Sequence, residues 1–349
     1  MSKVLVTGGL GYIGSHTAVE LLARGHEVVI ADNLANTRAE VLDGIEAISG
    51  VRPVWENVDL ADTAACSAFL AKHQDLDGII HFAAHKAVGE SVDQPLDYYH
   101  NNLGSLINLL QFAKVKQNCA FIFSSSCTVY GQADVLPIQE NAPVKPAESP
   151  YGNTKQIGEE IIRDGAKAHG FKAIALRYFN PVGAHPSGKI GELPLGVPQN
   201  LVPFITQSAA GLRGALKVFG NDYDTLDGTC VRDYIHVVDV AKAHILAMER
   251  LVAGRTEEPV EVFNLGTGTG STVVQVLNAF TESTGVELKW DFADRRAGDV
   301  VAAFADTKKA SETLGWRAEL PLTQSMADAW RWQQALATSA GGSAGGSAS

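Results

Sequence analysis

The sequence predicts an α/β fold, a doubly wound parallel sheet with helices on both faces and a smaller C-terminal α+β lobe. Three observations carry this. Short, near-continuous apolar runs alternate with amphipathic stretches, as expected of strands buried on both faces and joined by crossover helices. A glycine-rich turn follows the first apolar run and opens a helical pattern. After about Asn180 the character changes: Pro181, Pro186, Pro194, Pro198 and Pro203 cluster with glycines in a long irregular region.

Taken in order, strands are expected at Val4–Val6, Val28–Ala31, Val54–Asn57, Gly78–Phe82, Phe121–Ser124 and Ala173–Arg177. Helical patterns such as Ile13–Arg24 and Tyr99–Val115 lie between them. "EVFNLG" at Glu261–Gly266 reads as a further strand that rejoins the sheet. Residues 1–180 therefore form the first domain, with 234–265 returning to it. Residues 181–233 and 266–337 form a lobe over the carboxyl ends of the strands, where ligands bind in such sheets. Pro321–Ala337 reads as a terminal amphipathic helix, with Trp330 and Trp332 as packing residues. Residues 338–349, ending in "SAGGSAGGSAS", have the composition of a flexible tail.

Composition narrows the function. The 349 residues are 46% hydrophobic and 19% charged, which fits a soluble globular chain of one or two domains. A net charge of −11 argues against nucleic acid as a partner. No run of 18 apolar residues is present, so no membrane span is expected. "KVLVTGGLGYIG" reads as strand and turn rather than a signal peptide. Cys66, Cys119, Cys127 and Cys230 form no CxxC pair. They read as small buried residues in a reducing, cytoplasmic setting. No zinc signature appears, so no metal is expected.

"TGGLGYIG" places Gly8, Gly11 and Gly14 between the first strand and the first helix. Glycines allow a tight turn and close backbone approach. A helix N-terminus offers free N–H groups and the positive end of its dipole. Together these suit a pyrophosphate. Three glycines alone would equally suit a structural turn; the strand–turn–helix setting favours a dinucleotide on a Rossmann-type sheet. Asp32 ends the second strand, 18 residues past Gly14. A carboxylate there accepts from ribose hydroxyls and repels a 2′-phosphate, so NAD is expected rather than NADP. Asp59, in "NVDL", is placed to hold the adenine amino group.

"SPYGNTK" at Ser149–Lys155 puts Lys155 four residues after Tyr151, on the same helix face. A free phenol has a pKa of about 10, and lowering it by about 3 units takes about 4 kcal/mol. A neighbouring ammonium and the positive ring of an oxidised cofactor both favour phenolate. Tyr151 then becomes a general base near neutral pH. "FIFSSSCTVYG" ends a strand with Ser124, Ser125 and Ser126, where a hydroxyl can relay the proton.

With these motifs in place, the chain resembles the extended short-chain dehydrogenases/reductases, and within them the UDP-galactose 4-epimerase family. The matching stretches are "VLVTGGLGYIGSHT", "HKAVGESV", "SSSCTVYG", "SPYGNTK", "LRYFNPVGAHPSG", "FGNDYDTLDGTCVRDYIHVVD" and "RRAGDV". They run in family order from Lys3 to about Trp332. The resemblance implies interconversion of UDP-glucose and UDP-galactose through a 4-keto sugar, with tightly bound NAD. It implies Tyr151 as base, Lys155 on the nicotinamide ribose and Ser126 on the sugar 4-hydroxyl. Gly8, Gly11, Tyr12, Ile13 and Gly14 would surround the pyrophosphate. Asp32, Asn33, Asn36, Asp59 and Leu60 would hold the adenosine half. Phe82, Ala83, Ala84, Lys86, Asn101 and Phe179 would line the rest of the cofactor groove. Asn180, Asn200, Phe219, Arg232, Arg296 and Asp299 would bind the UDP-sugar, with the two arginines clamping the diphosphate. A homodimer is also implied, pairing helices near Asn101–Lys116 and Tyr151–Ala168. The apolar stripe Leu106, Leu109, Leu110 and Ala113 fits that pairing, and fits packing on the sheet equally well.

Departures from the family pattern sharpen the reading. Ala84 and His85 replace Gly and Leu, Lys217 replaces a small residue, and Cys230 replaces Gly. His85 reads as a packing or exposed residue. Ala303 stands where the family gates the sugar pocket, and its small side chain leaves room for an N-acetyl group, provided Phe304 or a neighbour does not shift in. A sugar-nucleotide 4,6-dehydratase needs an acid that the related enzymes supply as Asp-Glu; here those positions are Cys127 and Thr128. The alternatives are an epimerase preferring N-acetylhexosamines or uronates, an oxidoreductase with exchangeable NAD, and a non-catalytic NAD-binding regulator. The regulator would not need Tyr151, Lys155 and Ser126. His236 and Asp239 read as helix-capping and anchoring residues rather than a dyad.

Overall fold

The computed structural model describes residues 1–116, 118–296 and 299–342. The N-terminal half alternates strictly: β1 (Lys3–Thr7), α1 (Tyr12–Ala23), β2 (Glu27–Ala31), α2 (Val41–Ser49), β3 (Val54–Glu56), α3 (Thr63–Lys72) and β4 (Gly78–His81). Then come α4 (Val88–Asp93), α5 (Pro95–Val115), β5 (Ala120–Ser126), α6 (Pro150–His169) and β6 (Ala173–Tyr178). The remainder holds β7 (Asn180–Val182), α7 (Leu201–Ala209), β8 (Leu216–Phe219), β9 (Val231–Arg232), β10 (Tyr234–His236) and α8 (Val237–Val252). It ends with β11 (Val260–Leu265), β12 (Ser271–Thr272), α9 (Val273–Thr284), β13 (Trp290–Ala293), β14 (Ala302–Ala303) and α10 (Leu322–Gly342).

One seven-stranded parallel sheet runs in the order β11-β6-β5-β4-β1-β2-β3. Its central strands are buried along their whole length, β4 as Gly-Ile-Ile-His and β5 as Ala-Phe-Ile-Phe-Ser-Ser-Ser. That is why they read as continuous apolar runs rather than alternating ones. Residues of α1, α2 and α8 pack on one face, with Leu21, Ile45 and Met248 in a common core. Residues of α3, α5 and α6 pack on the other, around Phe69, Leu109 and Ile162. The stripe of Leu106, Leu109, Leu110 and Ala113 belongs to this second core, so it faces the sheet.

β11 lies at the sheet edge, pairing from Val260↔Ala173 to Leu265↔Tyr178. The chain thus returns to the sheet after passing through β7–β10. The lobe has its own core, built from Val202, Ile205, Val218, Phe280 and Met326. Trp330 packs edge-on against Phe280 at 5.7 Å between ring centres.

Two expectations need correction. Pro203 does not sit in an irregular region but in the first turn of α7. Its missing N–H is harmless there, because first-turn amides have no intrahelical acceptor. The terminal helix runs on to Gly342, into the stretch read as a tail; residues 343–349 lie outside those described. His236 caps α8 by accepting from Val238 N at 3.1 Å, while Asp239 anchors the later loop by accepting from Glu319 and Leu320 amides. All four cysteines are free. Among the described residues no helix is long and apolar enough to cross a membrane.

Candidate active site

The glycine turn sits between β1 and α1. Gly8 has φ +64°, and a Cβ there would lie 2.9 Å from Ala83 N. A Cβ on Gly14 would lie 2.2 Å from Gly8 O. Real Cβ atoms do not approach that closely, so a side chain at Gly14 would push α1 off the turn and one at Gly8 would displace the loop at Ala83. Gly11 caps α1 without a side-chain oxygen, leaving the first-turn N–H groups to other acceptors. Asp32 is 8% exposed. Its Oδ2 accepts from Leu10 N at 3.0 Å and its Oδ1 from Leu34 N at 2.9 Å, tying the β2 end to the glycine turn. Burial raises its pKa, and the two amides oppose that rise. Such a cradle fits a dinucleotide.

Around it, Tyr12 donates its hydroxyl hydrogen to Gly183 O at 2.7 Å, and Ile13 packs on the core. Asn33 and Asp59 accept from Ala35 N and Ala61 N, and both are exposed, as is Asn36. Leu60 turns its side chain into the core and is 4% exposed, so only its backbone can meet an adenosine.

The reaction centre lies where β5 ends against the start of α6. Ser149 caps α6 by accepting from Gly152 N at 3.1 Å, and Pro150 occupies its first turn. This places Tyr151 in the first turn and Lys155 one turn later, both buried. Lys155 donates from Nζ to Ser124 O at 2.8 Å. The same Nζ stands 5.8 Å from the centre of the Tyr151 ring. Burial lowers the Lys155 pKa to about 8. Burial also raises that of Tyr151 well above the ordinary phenol, with Tyr178 and Cys127 adding to the rise and a Ser126 hydrogen bond opposing it.

The sequence led us to expect a lowered Tyr151 pKa. These groups alone do not produce one, because desolvation outweighs the single nearby ammonium. Thr154 donates to Tyr151 O and accepts from Asn102 Nδ2; Asn153 donates to the Tyr99 hydroxyl.

The middle of the groove brings residues from both halves together. Lys86 Nζ and Asn200 Nδ2 reach the same oxygen, Glu192 Oε1, at 3.1 and 2.7 Å. Asn101 donates to Asn102 Oδ1, which also accepts from His85 N. His85 itself packs beside Tyr98. Phe82 lies against the His244 ring, and Ala83 N donates to Thr7 Oγ1 at 3.2 Å. Ala84 is half-buried in the same loop. Glu192 also lines a cavity of about 320 Å3 with Arg38 and Trp332, which Tyr151 does not line.

A cluster of opposite charge assembles from distant parts of the lobe. Arg296 engages Asp299 at 3.0 Å and Arg232 approaches the same carboxylate at 3.6 Å. The Arg296 guanidinium lies 4.9 Å over the Phe219 ring. Lys217 reaches Asp291 at 3.2 Å instead. Beside this cluster, Asn180 is half-buried and its N donates to Asp233 O. Ala303 pairs with Arg232 across β14 and β9. Its side chain joins Cys127 and Phe179 in one apolar cluster, while the Phe304 ring lies against Gly270.

Sequence reasoning missed Asn102, Tyr178 and Glu192. Tyr178 shares a 2.5 Å hydrogen bond with Ser124 Oγ. Only its place at a strand end, like the serines, marked it.

Residues 5–329 match the GDP-mannose 4,6 dehydratase family. The UDP-glucose 4-epimerase of Bacillus subtilis is 48% identical over 331 residues, covering 95% of this chain and 96% of that protein. The crystal structure of a Stenotrophomonas maltophila UDP-glucose-4-epimerase, with bound NAD and formylated UDP-arabinopyranose, superposes with a TM-score of 0.92. It is 46% identical and covers 97% of this chain and 100% of its own. The Bifidobacterium longum UDP-glucose 4-epimerase, in complex with NAD+ and UDP, has a TM-score of 0.90 and 43% identity over 96% of this chain and 98% of its own. Glycine cradle, buried Tyr–Lys pair and near-full-length identity agree: the chain belongs to the GDP-mannose 4,6 dehydratase family, among its UDP-glucose 4-epimerases.

Proposed function

We propose that this chain interconverts UDP-glucose and UDP-galactose by transient oxidation at C4, with tightly bound NAD. The observation that carries this is the meeting of Tyr151, Ser126 and Lys155 at the end of β5, with a two-arginine anion site in the lobe. Arg232 and Arg296 hold the diphosphate, and Asn180, Asn200 and Phe219 position the nucleotide and sugar. Ser126 and Tyr151 take the proton of the 4-hydroxyl as C4 loses its hydride and becomes a carbonyl. When bound, NAD is the hydride acceptor and donor, and its oxidised ring adds the second positive charge that Tyr151 needs. The 4-keto sugar turns about its link to the diphosphate. Hydride then returns to the other face while Tyr151 gives its proton back to the oxygen. The exchange is redox-neutral, so no external cofactor is consumed.

The test is to add UDP-galactose to the purified protein with no added NAD. UDP-glucose is expected. Its absence, with NAD shown to be retained, would overturn the reading, and dependence on added NAD would favour a simple oxidoreductase.

A second reading extends the substrate to UDP-N-acetylglucosamine and UDP-N-acetylgalactosamine. It is supported by the small Ala303 side chain and by Phe304 packing on Gly270. Turnover of both pairs, with Ala303→Tyr losing only the N-acetyl pair, is expected; no turnover of the N-acetyl sugars would end this extension. We also read the protein as a cytoplasmic homodimer. The free cysteines and the half-exposed Ile107 of α5 support that, and light scattering of the purified protein tests the dimer.

A further inference from the structure

Glu159 lies two turns after Tyr151 and one turn after Lys155 on α6, so all three share one buried face. Its carboxylate accepts from Ser125 Oγ at 2.7 Å. It also accepts both prongs of Arg177, from Nε at 2.8 Å and from one terminal nitrogen at 2.6 Å. Ser125 and Arg177 are register partners on β5 and β6. Two neighbouring strands therefore grip one helix residue at the same height. The approach is close: a Cβ on the adjacent Gly158 would lie 2.8 Å from the Phe123 ring. Arg177 is itself fixed, stacked 4.8 Å over Tyr130, whose hydroxyl donates to Asn264 Oδ1 at 2.6 Å.

A buried ion pair is weak evidence for stability, since apolar residues of similar volume often do as well or better. A bidentate, planar grip does constrain how far a helix can slide or rotate. The strand that supplies Ser125 also supplies the Ser124 carbonyl to Lys155 and carries Ser126 beside Tyr151. We propose that Glu159, held by Arg177 and Ser125, is a positioning residue that sets α6 in register on β5 and so aligns Lys155 and Tyr151 for proton transfer. This rests on the proton-transfer role read above for Tyr151.

The deciding variant is Glu159→Leu with Arg177→Met, which removes both charges together. Retained NAD, an unchanged or raised Tm and a KM for UDP-galactose within about threefold are expected. With Lys155 out of line, kcat falls about 10- to 100-fold, and the acid limb of its pH profile moves up by about one unit. Wild-type kcat and pH profile in a folded double variant would overturn the inference. If that variant does not fold, Ser125→Ala decides, because it keeps the ion pair. A several-fold loss of kcat at unchanged Tm supports the role, and wild-type kcat overturns it. An inactive wild type would instead overturn the reaction reading, and this role with it.

Discussion

Tyr151, Lys155 and Ser126 are each less than a tenth exposed and are fixed by one strand–helix contact. Phe219 is 37% exposed and the Arg296 side chain 57%, and Arg296 is held by Asp299 and the Phe219 ring. In the first region the Lys155 ammonium is held on the Ser124 carbonyl and α6 is capped by Ser149, so the geometry is set by the fold itself. In the second, the Arg296–Asp299 pair is open to water on its arginine side, contributes little by itself and exchanges readily for a ligand anion. Chemistry and grip are thus built from different materials, and a substitution in one region should leave the other's kinetic constant nearly untouched.

The largest effect that could break this contrast is Tyr151→Phe. We expect kcat to fall about 1,000-fold, with KM within about threefold, because only the proton transfer is lost. A rise in KM of similar size would show that the two regions are not separable. Arg296→Ala is the converse case. A hydrogen bond to a charged group is worth about 1.5–3 kcal/mol, so KM should rise about 10- to 100-fold with kcat within threefold. Added salt should weaken wild-type binding more than that of the variant.

Next in size is a pH effect confined to the buried region. The Lys155 pKa lies at about 8, and the ammonium is the form that assists Tyr151. kcat/KM should therefore decline above about pH 8, and Lys155→Arg should remove that alkaline limb, since a guanidinium stays charged. A limb unchanged in the variant would assign it to another group.

A further effect concerns stability. Burial lowers the pKa of His16 and His81 to about 3 and of His244 to about 4, all three in elements packed on or within the sheet. Their folded values lie below the unfolded 6.5, so the unfolded chain takes up more protons under acid conditions. Their stabilising contribution is complete above pH 6.5 and is lost as pH falls from there toward 3. Tm should decline between pH 6.5 and 5, and a flat profile would contradict it.

Much of the first region was legible in the sequence because its signals are local. Gly14 must be glycine because of Gly8, six residues away, and Lys155 meets Tyr151 one turn on. The buried strands announced themselves as unbroken apolar runs. Less was legible where the partner is remote. Glu192 gathers Lys86 from one half and Asn200 from the other, and no short pattern records that meeting. Asn102 looked like any helix asparagine, yet it joins the His85 loop, α5 and α6. Pro203 misled because proline marks both loops and first turns. The Tyr151 phenol misled in another way: spacing shows which charge is near, but not how much water has been removed.

The return of β11 to the edge of the sheet has a consequence for how the chain is made. When β6 leaves the ribosome, its outer row of N–H and C=O groups has no partner, and the strand that will cover it arrives about 80 residues later, several seconds at ordinary synthesis rates. Through that interval the nascent sheet is an open-edged intermediate of the kind that pairs with other chains.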